Sequence, residues 1–377
     1  MTGPLKGFTV LEMAGIGPAP FAAMMLADMG ADVIRIDRLV PGFLGGGGTI
    51  VDRGRRTIAL DIKKPGAVDI VLRLMEKSDA LIEGFRPGVM ERLGMGPDVC
   101  LERNPRLVYG RMTGWGQDGP LSQAAGHDLN YLAITGLLNA MGYPDRPPTP
   151  PLHVVGDLGG GGMMLAFGVV CALLEARGTG KGQVLDSAIC DGAAMLATPY
   201  HGQVANGSWV NQRQSNMLDG GAHFYGCYTC ADGKAVSIGP IEPQFYRVML
   251  ERCGITDPEF ELQWERGHWP ALREKLAAMF VTRTRDEWCG LLEGSEACFA
   301  PVLDFEEATR HPHSVARNSF TRTSGVLHPA PTPRFSRTPG VARPIPKTGE
   351  HTQELLAQIG MSEQDIAALR EHGTISC

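Results

Sequence analysis

Residues 8–37 read FTVLEMAGIGPAPFAAMMLADMGADVIRID, and the order of elements in them decides the fold. The run FTVLEM predicts a strand, the segment GPAPFAAMMLADMG a turn and an apolar helix, and DVIRID a second strand. Pro18 and Pro20 suit the first turn of that helix, where a missing amide donor costs little. The alternation continues downstream. TIALDI predicts a third strand, KPGAVDIVLRLMEKSD a helix, ALIEGF a fourth strand, and RLVYGRMTG a fifth, near residues 106–114. Such a sequence is α/β: a Rossmann-like large domain with a parallel sheet covered on both faces. Ligands on such sheets collect at the carboxyl ends of the strands.

After NMLDGGAH (216–223) the pattern changes to a hairpin, a helix from about Glu242, helices near 268–280 and 285–293, and a strand, FAPVLDF. This predicts a smaller α+β domain. The domain scheme is then a large domain over 1–200, completed by a C-terminal return from about 330 to 377. A linker covers 201–220, the small domain 221–310, and a return linker 311–329, opening a Pro-, Ser- and Arg-rich stretch that runs to about 347. The segment MMLAFGVVCALLEA (163–176) predicts a buried helix.

The chain has 377 residues, 43% hydrophobic and 20% charged, the composition of an enzyme of about two domains. A net charge of −6 argues against nucleic acid as a partner. No run reaches the roughly 18–20 apolar residues of a membrane span, and MTGPLKGFTV lacks a signal-peptide pattern, so a cytoplasmic location and no membrane partner are expected. Nine scattered cysteines suit reduced thiols. The single C-x-x-C, Cys227 and Cys230, sits in a hairpin with no second pair, so no metal is expected.

Two stretches carry chemistry. AGIGPAP begins like G-x-G-x-x-G, with Asp37 closing strand two as in a dinucleotide fingerprint, but Pro20 stands where the third glycine belongs. A nicotinamide dehydrogenase module is thereby disfavoured. Arg38, directly after Asp37, is well placed for a phosphate. Arg55, Arg56, Lys63, Lys64, Arg86 and Arg92 could converge on the same edge, or each could be a solvated surface charge. Coenzyme A, with a 3′-phosphate and a pyrophosphate, matches that distribution.

The second stretch is AAGHDLNYL. His127 could simply open a helix, or be half of an acid–base pair, with Asp128 a cap or an orienting neighbour. Asp157, in HVVGDLGGGGMMLAFG, could be a helix cap or a reacting carboxylate. Gly159 to Gly162 make sense where backbone approaches a ligand closely. Glu242 could be a favourable first-turn acid or could orient a histidine.

The motifs LEMAGIGPAPFAAMMLADMGADVIRIDR, LIEGFRPGVMERLGMGP, RMTGWGQDGP, AGHDLNY, GDLGGGG, GKGQVLDSAICDG, NMLDGGAHFY and IGPIEPQFY together resemble the α-methylacyl-CoA racemase branch of the class III (family III) CoA-transferase superfamily, from about residue 3 to 340. The resemblance implies an interlocked homodimer with the active site between subunits. It implies His127 and Asp157 as the two acid–base groups, with Glu242 reaching His127 from the other subunit. It also implies contacts to an acyl-CoA substrate from Ile16, Arg38, Leu60, Asp61, Ile62, Lys63, Gly84, Phe85, Arg86, Arg92, Gly126, Asp128, Leu129, Asn130 and Tyr131. No cofactor beyond the CoA thioester is implied.

Inverting a stereocentre beside a thioester carbonyl needs one group to take the α-proton and another to return one on the opposite face. The enolate oxygen is expected near backbone amides of the glycine-rich helix start. The alternative within the superfamily is CoA transfer, in which Asp157 is a nucleophile forming an anhydride and then an aspartyl-CoA thioester. His127 discriminates between them and favours the racemase. Met163, Met164 and Met217 could line an adaptable apolar surface for the acyl tail, or simply fill core.

Overall fold

The computed structural model describes residues 2–40 and 48–376. The first strands and helices follow the expected alternation: β1 (Thr9–Met13), α1 (Pro18–Asp28), β2 (Asp32–Asp37), β3 (Arg55–Leu60), α2 (Ala67–Glu76) and β4 (Ala80–Glu83). Two short helices, α3 (Val89–Arg92) and α4 (Pro97–Arg103), precede β5 (Val108–Thr113), α5 (Asp128–Ala133) and α6 (Leu137–Ala140). A helical run from Leu152 passes through a widened, π-type segment, Val155–Met163, into α7 (Met164–Thr179). Then come β6 (Gln183–Ala188), α8 (Ile189–Leu196) and α9 (Thr198–Ala205). The remainder is β7 (Gly226–Thr229), β8 (Ala235–Ile238), α10 (Pro243–Cys253), α11 (Trp269–Phe280), α12 (Arg285–Leu292), β9 (Phe299–Val302), α13 (Phe305–Arg310), α14 (Pro312–Ala316), β10 (Phe320–Thr323), β11 (Val326–Pro329), α15 (Thr352–Gln358), α16 (Glu363–Glu371) and β12 (Ile375–Ser376).

The chain forms two compact units. The first comprises residues 1–135, 151–197 and 318–377, the second 136–150 and 198–317. The stretch 311–329, read from sequence as linker, carries α14 and the β10–β11 hairpin.

In the first unit one sheet runs β12-β3-β2-β1-β4-β5-β6. All pairings are parallel except the antiparallel β12, which joins β3 through Ile375 and Leu60. Ignoring β12, the order 3-2-1-4-5-6 is that of a doubly wound sheet, whose strand order reverses between β1 and β4. One face is covered by α2 and the returning C-terminal helices, with Leu11, Ile58, Ile70, Leu81, Leu355 and Leu356 buried together. The other is covered by α1 and α7, with Val10, Ala22, Ala23, Val33, Ile82, Leu165 and Val169. The second unit has its own core of Phe224, Tyr246, Trp269, Phe280 and Trp288 around the sheet β7-β8-β9.

Two expectations for residues 152–179 are corrected. The helix is not buried all round: Phe167 and Leu174 are 68% and 73% exposed, and Met163 and Val170 join them on the same outward stripe. An apolar run has no preferred side, and only the Leu165, Val169 and Leu173 side meets the sheet face. The run is also long and apolar enough to cross a membrane by length and composition, although 44% of its most apolar 18-residue stretch is buried in this unit.

The glycines explain that burial. A Cβ on Gly160 would stand 2.6 Å from the backbone N of Ala193 in α8. One on Gly161 would stand 2.9 Å from Pro18 Cβ, and one on Gly162 2.8 Å from the Pro18 carbonyl oxygen. These three residues are therefore spent on close packing against α1 and α8, and they lie inside a continuous helical run rather than at its start. The expected close approach to a ligand is not their use.

Candidate active site

The carboxyl ends of five adjacent parallel strands present the segments that the sequence marked. Ile16, 51% exposed, lies in the turn after β1. Arg38 follows β2, Asp61 to Lys63 follow β3, and Gly84 to Arg86 follow β4. The turns after β1 and β4 flank the point where strand order reverses, where such sheets bind their ligands.

A cleft of about 230 Å³ opens beyond β4 and β5, lined among others by Gly84, Phe85, Arg86, Trp115, His127 and Tyr131. Five of these six were marked in sequence, and Gly126 also lines the cleft. Trp115 was not marked. It lies two residues past the carboxyl end of β5, and that position was the available signal. Its ring meets Tyr131 edge-to-face at 4.7 Å. The Tyr131 hydroxyl donates to the Gly126 carbonyl, and a Cβ at Gly114 or Gly126 would collide with its ring. A larger cavity, about 690 Å³, lies among Lys64, Arg73, Met361 and His372 and includes none of the other marked residues.

His127 is the residue before the first turn of α5, with extended backbone (φ −133°, ψ 173°) and an exposed side chain. Its amide donates to Asn130 Oδ1 at 3.0 Å, so Asn130 fixes the histidine's backbone. The carbonyl of His127 accepts from the amides of Asn130 and Tyr131. The imidazole thus stands at the mouth of the cleft on a rigid turn.

Asp157 does not cap a helix. It lies within the widened segment, and its amide donates to Asp128 Oδ1 at 2.7 Å. Its half-buried carboxylate reaches α1: a Cβ on Gly17 would stand 3.3 Å from Asp157 Oδ2. Burial lifts the Asp157 carboxyl above the ordinary range. The Asp128 charge lifts it further, while His153 and His127 pull it down.

Not every basic residue converges on the edge. Arg55 and Arg56 open β3, at the end away from the ligand side, and both are spent on internal pairs. Arg55 meets Glu12 at 2.8 Å with both side chains fully buried, and it also donates to the Pro20 carbonyl. Arg56 bridges Asp32 and Glu354. Asp37 is likewise buried, its Oδ1 paired with Arg35 at 2.7 Å, so its carboxylate is turned into the protein rather than toward a ribose. That removes the remaining support for a dinucleotide site. Arg38 and Arg86, by contrast, are exposed and form no ion pair among the described residues. Arg92 ends α3 and is exposed.

Leu60 is 2% exposed and packs in the core, so its side chain offers nothing to a ligand, and Ile62 packs on the same core. Asp61 accepts from the amide of Lys63 at 3.1 Å, which leaves the Lys63 side chain outward. Leu129, 41% exposed, lies on α5 beside His127. Glu242 lies in the second unit, as the exposed residue before α10. Among the described residues, no group of three or more His, Cys, Asp or Glu side chains is placed to hold a metal ion.

The cleft lies beyond the carboxyl ends of a parallel, doubly wound sheet, the place where α/β proteins of this kind bind their ligands. The chain belongs to CoA-transferase family III, whose model matches residues 5–352. It is 43% identical to the alpha-methylacyl-CoA racemase of Mus musculus, over 97% of this chain and 96% of that protein. It is 41% identical to that of Homo sapiens, over 97% and 96%. In fold it matches the crystal structure of a CaiB/BaiF family protein from Brucella suis with a TM-score of 0.81, at 24% identity, over 95% of this chain and all of that one.

Proposed function

We propose that this enzyme interconverts (R)- and (S)-2-methylacyl-CoA thioesters by moving the α-proton, with His127 and Asp157 as the two acid–base groups. In one direction neutral His127 takes the α-proton from one face, leaving an enolate, and protonated Asp157 delivers a proton to the other face. In the reverse direction Asp157 as carboxylate takes the proton and the His127 imidazolium returns one. The pair holds one proton before and after turnover and two while the enolate exists, so the enzyme form left after turnover is the other starting form.

The observation that carries this reading is the linkage of the pair. His127 and Asp128 are consecutive, and Asp128 holds the backbone of Asp157. A carboxyl raised by burial keeps more of the protonated form that a return step requires. Since Gly160 to Gly162 are packed away, the enolate oxygen is assigned to the first-turn amides of α5. Asp128 and Leu129 adjoin His127, and their amides donate to no acceptor among the described residues.

The CoA moiety is assigned to the strand-end groups, with Arg38 and Lys63 for phosphates and Arg86 at the cleft mouth. Exposed Met163 is assigned to the acyl tail. The active unit is a homodimer in which Glu242 of a second copy orients His127. The outward stripe of Phe167, Val170 and Leu174 is the kind of apolar surface that a second copy would cover.

Proton NMR of a single epimer of a 2-methylacyl-CoA in deuterium oxide, with no free acid present, tests the reaction. Loss of the α-proton signal together with loss of optical purity is expected. No exchange, with thioester exchange once a free carboxylic acid is added, would make the chain a CoA-transferase.

A further inference from the structure

The carboxylate of Asp128 has a position of its own. Asp157 is the third residue of the widened segment Val155–Met163, whose first amides have no acceptor within that segment. Its amide would be orphaned and half-buried but for Asp128 Oδ1, 29 residues earlier in the chain, at 2.7 Å. The residue before Asp157 makes that reach possible. A Cβ on Gly156 would collide with Asp128 Oδ1 and stand 3.4 Å from Leu132 Cγ. Glycine at 156 is thus required by the carboxylate at 128.

We propose that Asp128 is a positioning residue for the proton transfer: its carboxylate anchors the backbone of Asp157 and sets the charge environment in which Asp157 gives up and takes back its proton. This rests on the acid–base reading of Asp157 given above. The groups that face Asp157 are few. From α5 come Asp128 and Tyr131, with His127 before it, and from the turn before the widened segment comes His153. Helix α8, packed on that segment, carries Cys190, which interacts with Tyr131, and Asp191, which interacts with Cys190. The first turn of α1 presents Gly17 and Pro18, neither of which titrates. Asp128 is the charge whose removal makes the Asp157 carboxyl more acidic, because Asp128 and burial are what raise it.

Three variants separate anchoring from charge. Asp128→Asn keeps an acceptor oxygen and loses the charge. For the epimer whose α-proton Asp157 takes, it is expected to move the acid limb of the kcat/KM profile to lower pH by about half a unit. Asp128→Ala loses both, and is expected to show the same movement with a further fall in kcat of about tenfold. Gly156→Ala, which displaces the carboxylate without altering residue 128, is expected to reproduce the fall in kcat. A thermal melt of each confirms that the variant is folded.

An acid limb in both Asp128 variants that superimposes on the unsubstituted enzyme overturns the inference. Wild-type kcat in both Asp128→Ala and Gly156→Ala overturns it as well. Asp157→Asn is measured alongside. If that variant still racemises at the full rate, the acid–base reading falls and this inference with it. If it does not racemise while the Asp128 variants behave as wild type, the inference falls alone.

Discussion

Asp128 Oδ1 accepts the backbone amide of Asp157 at 2.7 Å, so the first turn of α5 is tied to the first turn of the widened segment Val155–Met163. Removing the acceptor leaves a half-buried amide unpaired, at a cost of about 1–3 kcal/mol. Asp128→Ala is expected to lose stability in that range on urea denaturation. Asp128→Asn, which retains an acceptor, is expected to lose less than half as much.

Two arginines with similar sequence settings should behave in opposite ways. Arg55 is fully buried against Glu12, and Arg55→Met leaves a buried carboxylate alone, at a cost of about 3–5 kcal/mol. Arg38 is exposed after β2. Arg38→Ala should leave the melting temperature unchanged and raise KM for the acyl-CoA by about tenfold or more, through loss of a charge-assisted phosphate contact. Denaturation and steady-state kinetics on the two variants check the contrast.

His223 gives the second unit a pH dependence. It is fully buried, its Nε2 lies 2.7 Å from the Tyr246 hydroxyl, and burial pushes its pKa down from 6.5 to about 4. Below 6.5 the unfolded chain takes up a proton that the folded unit refuses. Stability is therefore complete above that pH and declines as pH falls toward about 4, by roughly 3 kcal/mol over the window. Urea titrations at pH 7 and pH 4.5 should show the decline, and His223→Gln should flatten it.

The outward stripe on α7 should be covered in solution. Phe167→Glu together with Leu174→Glu places two charges where 68% and 73% exposed apolar side chains stand. Sedimentation velocity is expected to show a dimer for the unsubstituted chain and a monomer for the double variant, with racemisation lost. A double variant that stays dimeric places the interface elsewhere.

The parallel sheet and its first five strands were readable because apolar runs of four to six residues alternate with Ala- and Leu-rich helices, whereas the strand order, β6 and the antiparallel β12 rest on pairings between segments far apart in the chain. His127 at a helix start and the hairpin around Cys227 and Cys230 were readable from local turn chemistry. What sequence could not supply was the destination of side chains with two plausible uses. Arg55 and Arg38 both border a strand, and only the register of β3 against its neighbours sends one inward. The glycines at 160–162 suit a ligand or a neighbouring helix equally well until α1 and α8 are in place. Trp115 and the role of Asp128 needed contacts between segments many residues apart.

The most direct test of the two-group account is deuterium exchange at the α-carbon of each epimer separately, with His127→Asn and Asp157→Asn. Each variant keeps one of the two groups. Each is predicted to lose racemisation and still exchange the α-proton of one epimer with retention, the two variants acting on opposite epimers. Racemisation at the wild-type rate in either variant, or exchange of the same epimer by both, would contradict the assignment of His127 and Asp157 to opposite faces.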